Sequence, residues 1–293
     1  MHTAVPLQAR NSWLFYAIIT TVTWGVWGAL IEVPEKAGFP ATLGYAVWAL
    51  TMIPCALVVL TANGFRLEHD KRSVALGLLI GLTGAGGQLI LFEALRLGPA
   101  YLIFPIVSLY PLLTVILSVI FLRERASRIQ WCGIVLALAA ILLLSWSTPD
   151  GSAIPGYAWL WLAMLVFVLW GVQALFMKAA NNVMHADSIF VYMALSGLLV
   201  IPAAVAMTDF SQPINWGFRG PGLAALIQIL NAIGALFLVY AMRYGKALIV
   251  APMTSLSPMI TVVLSLVLYA VIPNPAMIVG FVLATIAIYL FAK

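Results

Sequence analysis

Apolar stretches of about twenty residues alternate along the chain with short polar breaks. That is the length a helix needs to cross a hydrocarbon layer of roughly 30 Å. Within the stretches, apolar and polar residues do not alternate with period two, so helices are predicted rather than barrel strands. Ten spans are expected, at residues 13–34, 39–62, 73–97, 98–122, 128–146, 155–181, 186–208, 220–244, 246–271 and 274–292. The breaks "NGFRLEHDKRS", "LRERASR", "STPDGSAIPG", "TDFSQPINWGFRGPG" and "PNP" collect turn formers and charge. The first span is too long for a secretory leader. It carries Trp13, Trp24 and Trp27, and no small-residue cleavage site follows it, so it is expected to remain a helix.

Composition removes the water-soluble alternative. Of 293 residues, 64% are hydrophobic and 8% charged, against roughly 25% charged in soluble domains. The expected fold class is therefore an all-α membrane protein, with the lipid bilayer as its solvent. The formal charge of +5 lies in short loops and forms no patch for nucleic acid. With a cytoplasmic N-terminus, eleven basic residues fall inside: Arg10, Arg66, Lys71, Arg72, Arg123, Arg125, Arg128, Lys178, Arg243, Lys246 and Lys293. Three fall outside: Lys36, Arg96 and Arg219. The positive-inside rule then puts both termini in the cytoplasm, with the chain multi-pass in the cell (inner or plasma) membrane. Cys55 and Cys132 sit in apolar runs without ligand spacing and read as small buried hydrophobes, so neither a metal nor a cofactor is expected.

The chain repeats itself at a shift of 147 residues. "ALRLGPAYLIFPIVSLYPLLTVILS" (Ala94–Ser118) lies over "AMRYGKALIVAPMTSLSPMITVVLS" (Ala241–Ser265), with 12 of 25 positions identical. Arg96/Arg243, Gly98/Gly245, Pro105/Pro252, Pro111/Pro258 and Thr114/Thr261 fall in register without a gap. "WGV" at 24–26 echoes "WGV" at 170–172, one residue off that shift. Two halves follow, 1–147 and 148–293. Five spans in each force the second half to enter the membrane from the opposite side. That is the inverted repeat of many secondary transporters, whose site lies between the repeats near the midplane.

"WGVWG" in the first span, "EALRLGPA" closing the third and "FLRERASRIQWCGIVLALAAILLLS" bridging the fourth and fifth carry a resemblance over nearly the whole chain. The sequence resembles the drug/metabolite transporter superfamily, specifically its ten-helix EamA-type branch. The turn at Glu124–Arg125 is the most specific part of the match. Such families usually repeat the acidic turn after the ninth span, but Val271 stands there in this chain. The resemblance implies export or exchange of small metabolites, and similar proteins include exporters of amino acids, aromatic ones among them.

Candidate site residues follow from what a bilayer makes costly. Pro105 and Pro111 in the fourth span, and Pro252 and Pro258 in the ninth, leave the carbonyls of Tyr101, Val107, Leu248 and Thr254 without their helical partners. These prolines are expected to bend both spans around a cavity and act as gate hinges. Gly81, Gly84 and Gln88 share one helix face, as do Gln228, Asn231 and Ala235 in the corresponding span. The amides serve either as interhelical glue or as substrate contacts. Trp24, Trp27 and Trp170 lie away from span ends, where aromatic belts would sit, and Gln173 replaces the second tryptophan in the later copy. Tyr101, Ser108, Tyr110, Ser255 and Ser257 add hydroxyls on the two proline-bearing spans. By contrast, Trp13, Trp146, Trp159, Trp161 and Trp216 read as interface anchors.

Charge limits the mechanism. No carboxylate or histidine lies at the centre of a span, and proton relays inside membranes rest on Asp, Glu or His. The first expectation is uncoupled, facilitated export of an uncharged or zwitterionic small molecule, amino acids foremost, by alternating access. The alternative is a proton-coupled antiporter of drugs or other metabolites using Glu93 or Glu32. An enzyme would need an Asp pair, or a serine with a base, inside the spans, and the sequence offers neither. Gly133/Ala137 and Gly280/Ala284 are small pairs suited to close helix contact, within the chain or in a homodimer, although a monomer suffices.

Overall fold

The computed structural model describes residues 12–98, 100–146, 156–269 and 274–293, apart from the side chains of Ala100, Tyr101 and Tyr269. All regular structure in it is helical. In chain order the helices are α1 (Ser12–Leu30), α2 (Glu32–Lys36), α3 (Ala41–Ala62), α4 (Lys71–Leu97), α5 (Ala100–Ser108) and α6 (Tyr110–Phe121). They continue with α7 (Arg128–Leu144), α8 (Ala158–Asn181), α9 (Ala186–Ala206), α10 (Leu223–Tyr244), α11 (Ala247–Thr254), α12 (Pro258–Tyr269) and α13 (Pro275–Phe291). A π-turn at Phe218–Gly222 leads into α10. Among the described residues, eight stretches are long and apolar enough to cross a membrane. Arg128–Leu144 and Pro275–Phe291 are shorter apolar helices.

The polar breaks supply the helix starts. Asp70 caps α4, its Oδ1 accepting from the backbone N–H groups of Arg72 and Ser73, both at 3.1 Å. Hydrogen bonds from Ser73, side chain first and then backbone, hold this carboxyl below the usual carboxylate range. Ser127 and Gln130 form a reciprocal capping box at α7. Asn274 accepts from Met277 N at 2.9 Å and starts α13, with Pro275 at its first turn.

Two expected spans arrive broken rather than bent. The segment expected at 98–122 is α5 and α6, separated at Leu109. The segment expected at 246–271 divides into α11 and α12 around Ser255–Ser257. Pro111 stands in the first turn of α6, and Pro258 is the first residue of α12. There the missing N–H breaks no helical bond. The breaks stay satisfied locally: Leu112 N donates to Leu109 O at 2.8 Å and Met259 N to Leu256 O at 3.0 Å. The carbonyl of Thr254, expected to be free, accepts from Ser257 N at 3.4 Å.

Packing pairs the halves reciprocally. α1 lies along α10 and α4 along α8, while α3 packs on both α9 and α10, and α4 on α9. α7 packs along α13. There a Cβ on Gly133 would stand 3.0 Å from Phe291, and one on Gly280 3.0 Å from Leu143. The small-residue faces are thus used within the chain. Cys132, expected to be buried, is exposed, because α7 buries the opposite face through Gly133, Ala137 and Ala140. Trp159, expected at an interface, is buried, with its Nε1 donating to Gly156 O at 3.2 Å. Large apolar side chains such as Val58, Leu199 and Val267 cover the exposed surface, which suits contact with lipid tails.

Two glycines let the cavity tryptophans approach closely. A Cβ on Gly87 would lie 2.5 Å from Trp170 Nε1, and one on Gly234 2.4 Å from Trp24 Nε1. Around Gly86 nothing lies within 4 Å. Gly87→Ala and Gly234→Ala should each cost about 1–3 kcal/mol, seen as a lower melting temperature of the purified chain. Gly86→Ala should leave melting unchanged or raise it. Equal behaviour of all three would contradict this packing.

Candidate functional site

The described residues enclose a cavity of about 310 Å³, walled by α1, α3, α4, α5, α8, α9, α10, α11 and the two helix breaks. Four tryptophans form much of the wall: Trp24 and Trp27 from α1, Trp48 from α3 and Trp170 from α8. Three of them spend their N–H on the opposite half. Trp24 Nε1 donates to Asn231 O at 3.3 Å and Trp170 Nε1 to Gly84 O at 3.3 Å. Asn231 and Gly84 are themselves one repeat shift apart. Trp27 Nε1 donates to Gln228 Oε1 at 2.9 Å, and Gln173 Nε2, which takes Trp27's place in the second half, donates to Ile80 O at 3.2 Å. With these N–H groups engaged, the tryptophans contribute aromatic surface to a lining that also holds Met52, Leu91, Val107 and Met177.

The helix breaks place the hydroxyls. Tyr110 begins α6, lies edge-on to Trp170 with ring centroids 5.7 Å apart, and accepts at its OH from Ser255 Oγ at 2.8 Å. Ser108 accepts from Ser145 Oγ at 3.1 Å, and Ser257 and Pro258 complete the rim of the second break. Thr114 Oγ1 donates to Gly171 O at 3.1 Å and Thr261 Oγ1 to Gly25 O at 2.9 Å. This pair accounts for the "WGV" echo: each of its glycines gives its carbonyl to the threonine that follows a break.

Most of the sequence-predicted residues converge on this cavity. Trp24, Trp27, Gln88, Ser108, Tyr110, Trp170, Gln173, Asn231, Ser255, Ser257 and Pro258 line it. Gln228 sits one layer behind, 3% exposed, in a small recess between α3 and α10. Pro105, Pro111 and Pro252 lie in the surrounding helices and do not line the cavity. Tyr101 lies outside the described residues as far as its side chain is concerned. Trp48 and Phe104 line the cavity but were missed from sequence. Trp48 carried the same signal as Trp24, a tryptophan well inside an apolar span. Phe104 had no such signal.

No charged side chain lines the cavity among the described residues. Glu93 pairs with Arg96, with contacts of 2.5 and 2.9 Å, and Glu32 pairs with Lys36 at 2.6 Å on an exposed turn. Neither carboxylate reaches the interior. Lys178 does not run to the surface: its Nζ donates to the carbonyls of Met242 (2.9 Å) and Gly245 (2.6 Å), at the C-terminal end of α10.

At one end of the cavity the helices are fastened together. α6 packs against α11, every residue of which is buried. Glu124 clasps this end, accepting from Ala247 N (3.1 Å) and Leu248 N (3.0 Å) at the N-terminus of α11. Lys246 Nζ adds a bond to Arg125 O at 2.5 Å. At the opposite end, α5 and α12 make no comparable contact among the described residues, and Phe104 is 42% exposed.

Comparison with known proteins agrees with this architecture. The model of the EamA-like transporter family matches residues 11–146 and again 157–293. CMP-sialic acid transporter 2 of Oryza sativa subsp. japonica is 24% identical, over 99% of this chain and 87% of that protein. An uncharacterized transporter encoded in the cobO 3' region of Sinorhizobium sp. is 30% identical, over 46% of this chain and 97% of that protein. A solved crystal structure superposes with a TM-score of 0.77 at 18% identity, covering 96% of both chains.

Glu124→Ala removes the cap from α11 and should weaken closure by about 1–2 kcal/mol. A cysteine placed at Ala251, in a chain with Cys55 and Cys132 changed to Ser, should then react several-fold faster with an impermeant thiol reagent applied from the Glu124 side. An unchanged rate would show that the clasp does not hold that end shut.

Proposed function

Because the chain belongs to the EamA-like transporter family, we propose that it exports small zwitterionic or uncharged metabolites. Amino acids with aromatic or apolar side chains lead that class. The observation that carries this reading is the cavity wall of four tryptophans and neutral amides without a charged side chain. A zwitterion brings no net charge into low dielectric, and its two poles are met by amides, hydroxyls and π faces. The relatives named for CMP-sialic acid suggest a nucleotide-sugar cargo instead. That cargo carries phosphate and carboxylate anions, which proteins usually meet with Arg or Lys, and among the described residues neither lines this cavity.

The transport cycle is alternating access in an inverted 5+5 arrangement of the halves 1–147 and 148–293, in the cell membrane with both termini cytoplasmic. Support comes from the reciprocal tryptophan and threonine bonds and from the asymmetric spread of basic residues. In that orientation the Glu124 clasp closes the cytoplasmic end and the cavity opens outward. Export requires the α6–α11 contact to part and α5 to meet α12, with the breaks at Leu109 and Ser255–Ser257 as hinges. Transport is uncoupled, since Glu93 and Glu32 are paired away from the cavity. One chain contains the whole path, so a monomer suffices.

Flux in proteoliposomes tests this with a panel of amino acids and a nucleotide sugar, with and without a pH gradient. Amino acid flux that ignores the pH gradient and persists in Glu93→Gln is expected. Flux of the nucleotide sugar alone would overturn the substrate class. Strict dependence on the gradient would overturn the uncoupled mechanism. Pro258→Ala should lower flux more than it lowers the yield of folded protein, because it lets α11 and α12 fuse across the hinge; equal losses would make the proline structural.

A further inference from the structure

Beside the main cavity, between α3 and α10, lies a recess of about 10 Å³ that shares the walls Trp27, Trp48, Gln88 and Asn231 with it. That volume admits about one oxygen-sized group. Trp48 and Gln228 bring donors to it, beside the amides of Gln88 and Asn231. Trp48 Nε1 is fully buried and has no hydrogen-bond partner among the described residues. The Trp48 ring is fixed edge-on to Tyr45, with centroids 5.2 Å apart, and its Cζ3 edge lies 3.8 Å from where a Cβ on Gly197 would stand. The N–H is on the other side of the ring and points away from α9. Gln228 is oriented by Trp27, whose N–H its Oε1 accepts, so its Nε2 is left to donate. That nitrogen lies 3.8 Å from the Cβ position of Gly44, one helical turn before Trp48 on α3.

Indole offers only a donor, and this amide has its acceptor already engaged. We propose that the recess is a polar subsite that receives an acceptor oxygen of the substrate, a carboxylate in first place, with Trp48 and Gln228 as its donors. The proposal rests on the reading of the cavity as a small-metabolite site and fixes the orientation of the cargo within it. The carboxylate enters the α3–α10 recess, while the ammonium and side chain face the indoles of Trp24, Trp27 and Trp170. An amine lacking the acid offers these donors nothing, so discrimination follows from the polar group left unpaired.

The test measures binding by thermal stabilisation of the purified full chain with three matched probes: phenylalanine, phenylacetate and phenethylamine. Trp48→Phe keeps a ring and deletes the N–H. Gln228→Glu keeps the acceptor for Trp27 and replaces the donor with a carboxylate. Trp48→Phe should weaken phenylalanine and phenylacetate about tenfold and change phenethylamine by less than about twofold, while Gln228→Glu should weaken both acids at least as much and leave the phenethylamine cation unchanged or tighter. Equal weakening of all three probes, no weakening, or binding of phenethylamine alone by the unmodified chain would overturn the subsite, as would failure of every probe. If Trp48→Phe does not fold, Gln228→Glu and the ranking of probes on the unmodified chain decide. The two readings separate cleanly. Phenylacetate binding that depends on Trp48, without amino acid flux, keeps the subsite and removes amino acids as cargo. Amino acid flux indifferent to both variants keeps the cargo and removes the subsite.

Discussion

Inside hydrocarbon, a backbone carbonyl or N–H that leaves its helix must find another partner within the protein. This chain breaks two helices where its cavity needs walls, around Leu109 and Ser255–Ser257, and so takes on that debt in both halves. The breaks meet it locally, Leu112 N on Leu109 O and Met259 N on Leu256 O, and side chains crossing between the halves fasten the surrounding helices. Thr114 and Thr261, just past the breaks, bond the carbonyls of Gly171 and Gly25. Trp24 and Trp170, beside those glycines, bond the carbonyls of Asn231 and Gly84. Removing one of these residues therefore affects both halves at once. The glycines at 87 and 234 exist to let the indoles come this close.

The same bonds shape the cavity chemically. A tryptophan whose N–H is already engaged presents only its face, and three of the four cavity tryptophans are in that state. The wall thus combines aromatic and aliphatic surface with the amides of Gln88, Gln173 and Asn231 and the hydroxyls at the two breaks. Trp48 is the exception: its N–H is buried and has no hydrogen-bond partner among the described residues.

The charged groups are kept to the ends, where they differ between the halves. At one end Glu124, Lys178, Arg243 and Lys246 each bond backbone of a neighbouring element. At the other, Arg96, the repeat counterpart of Arg243, pairs with Glu93 on its own helix. Two arginines that correspond in the sequence repeat are therefore fastened differently, Arg243 to a neighbouring element and Arg96 within its own helix.

Much of this could be read from the sequence because the physics there is local or duplicated. Spans of about twenty apolar residues, capping residues at the breaks and an ungapped repeat do not depend on how the helices meet. A polar or aromatic residue deep in an apolar span costs the same wherever its partner lies, so Trp24, Trp170, Gln88 and Asn231 stood out. The tertiary structure decided what depends on relative position. It showed that Pro111 and Pro258 begin helices rather than bend them, and that Glu93 and Glu32 never reach the cavity. It also showed that Glu124 lies at the start of α11, more than a hundred residues away in sequence, and that Phe104 and Trp48 belong to the wall. A side chain's burial, and whether its N–H is engaged or open, is set by the neighbour that packing brings to it, and no single stretch of sequence contains that neighbour.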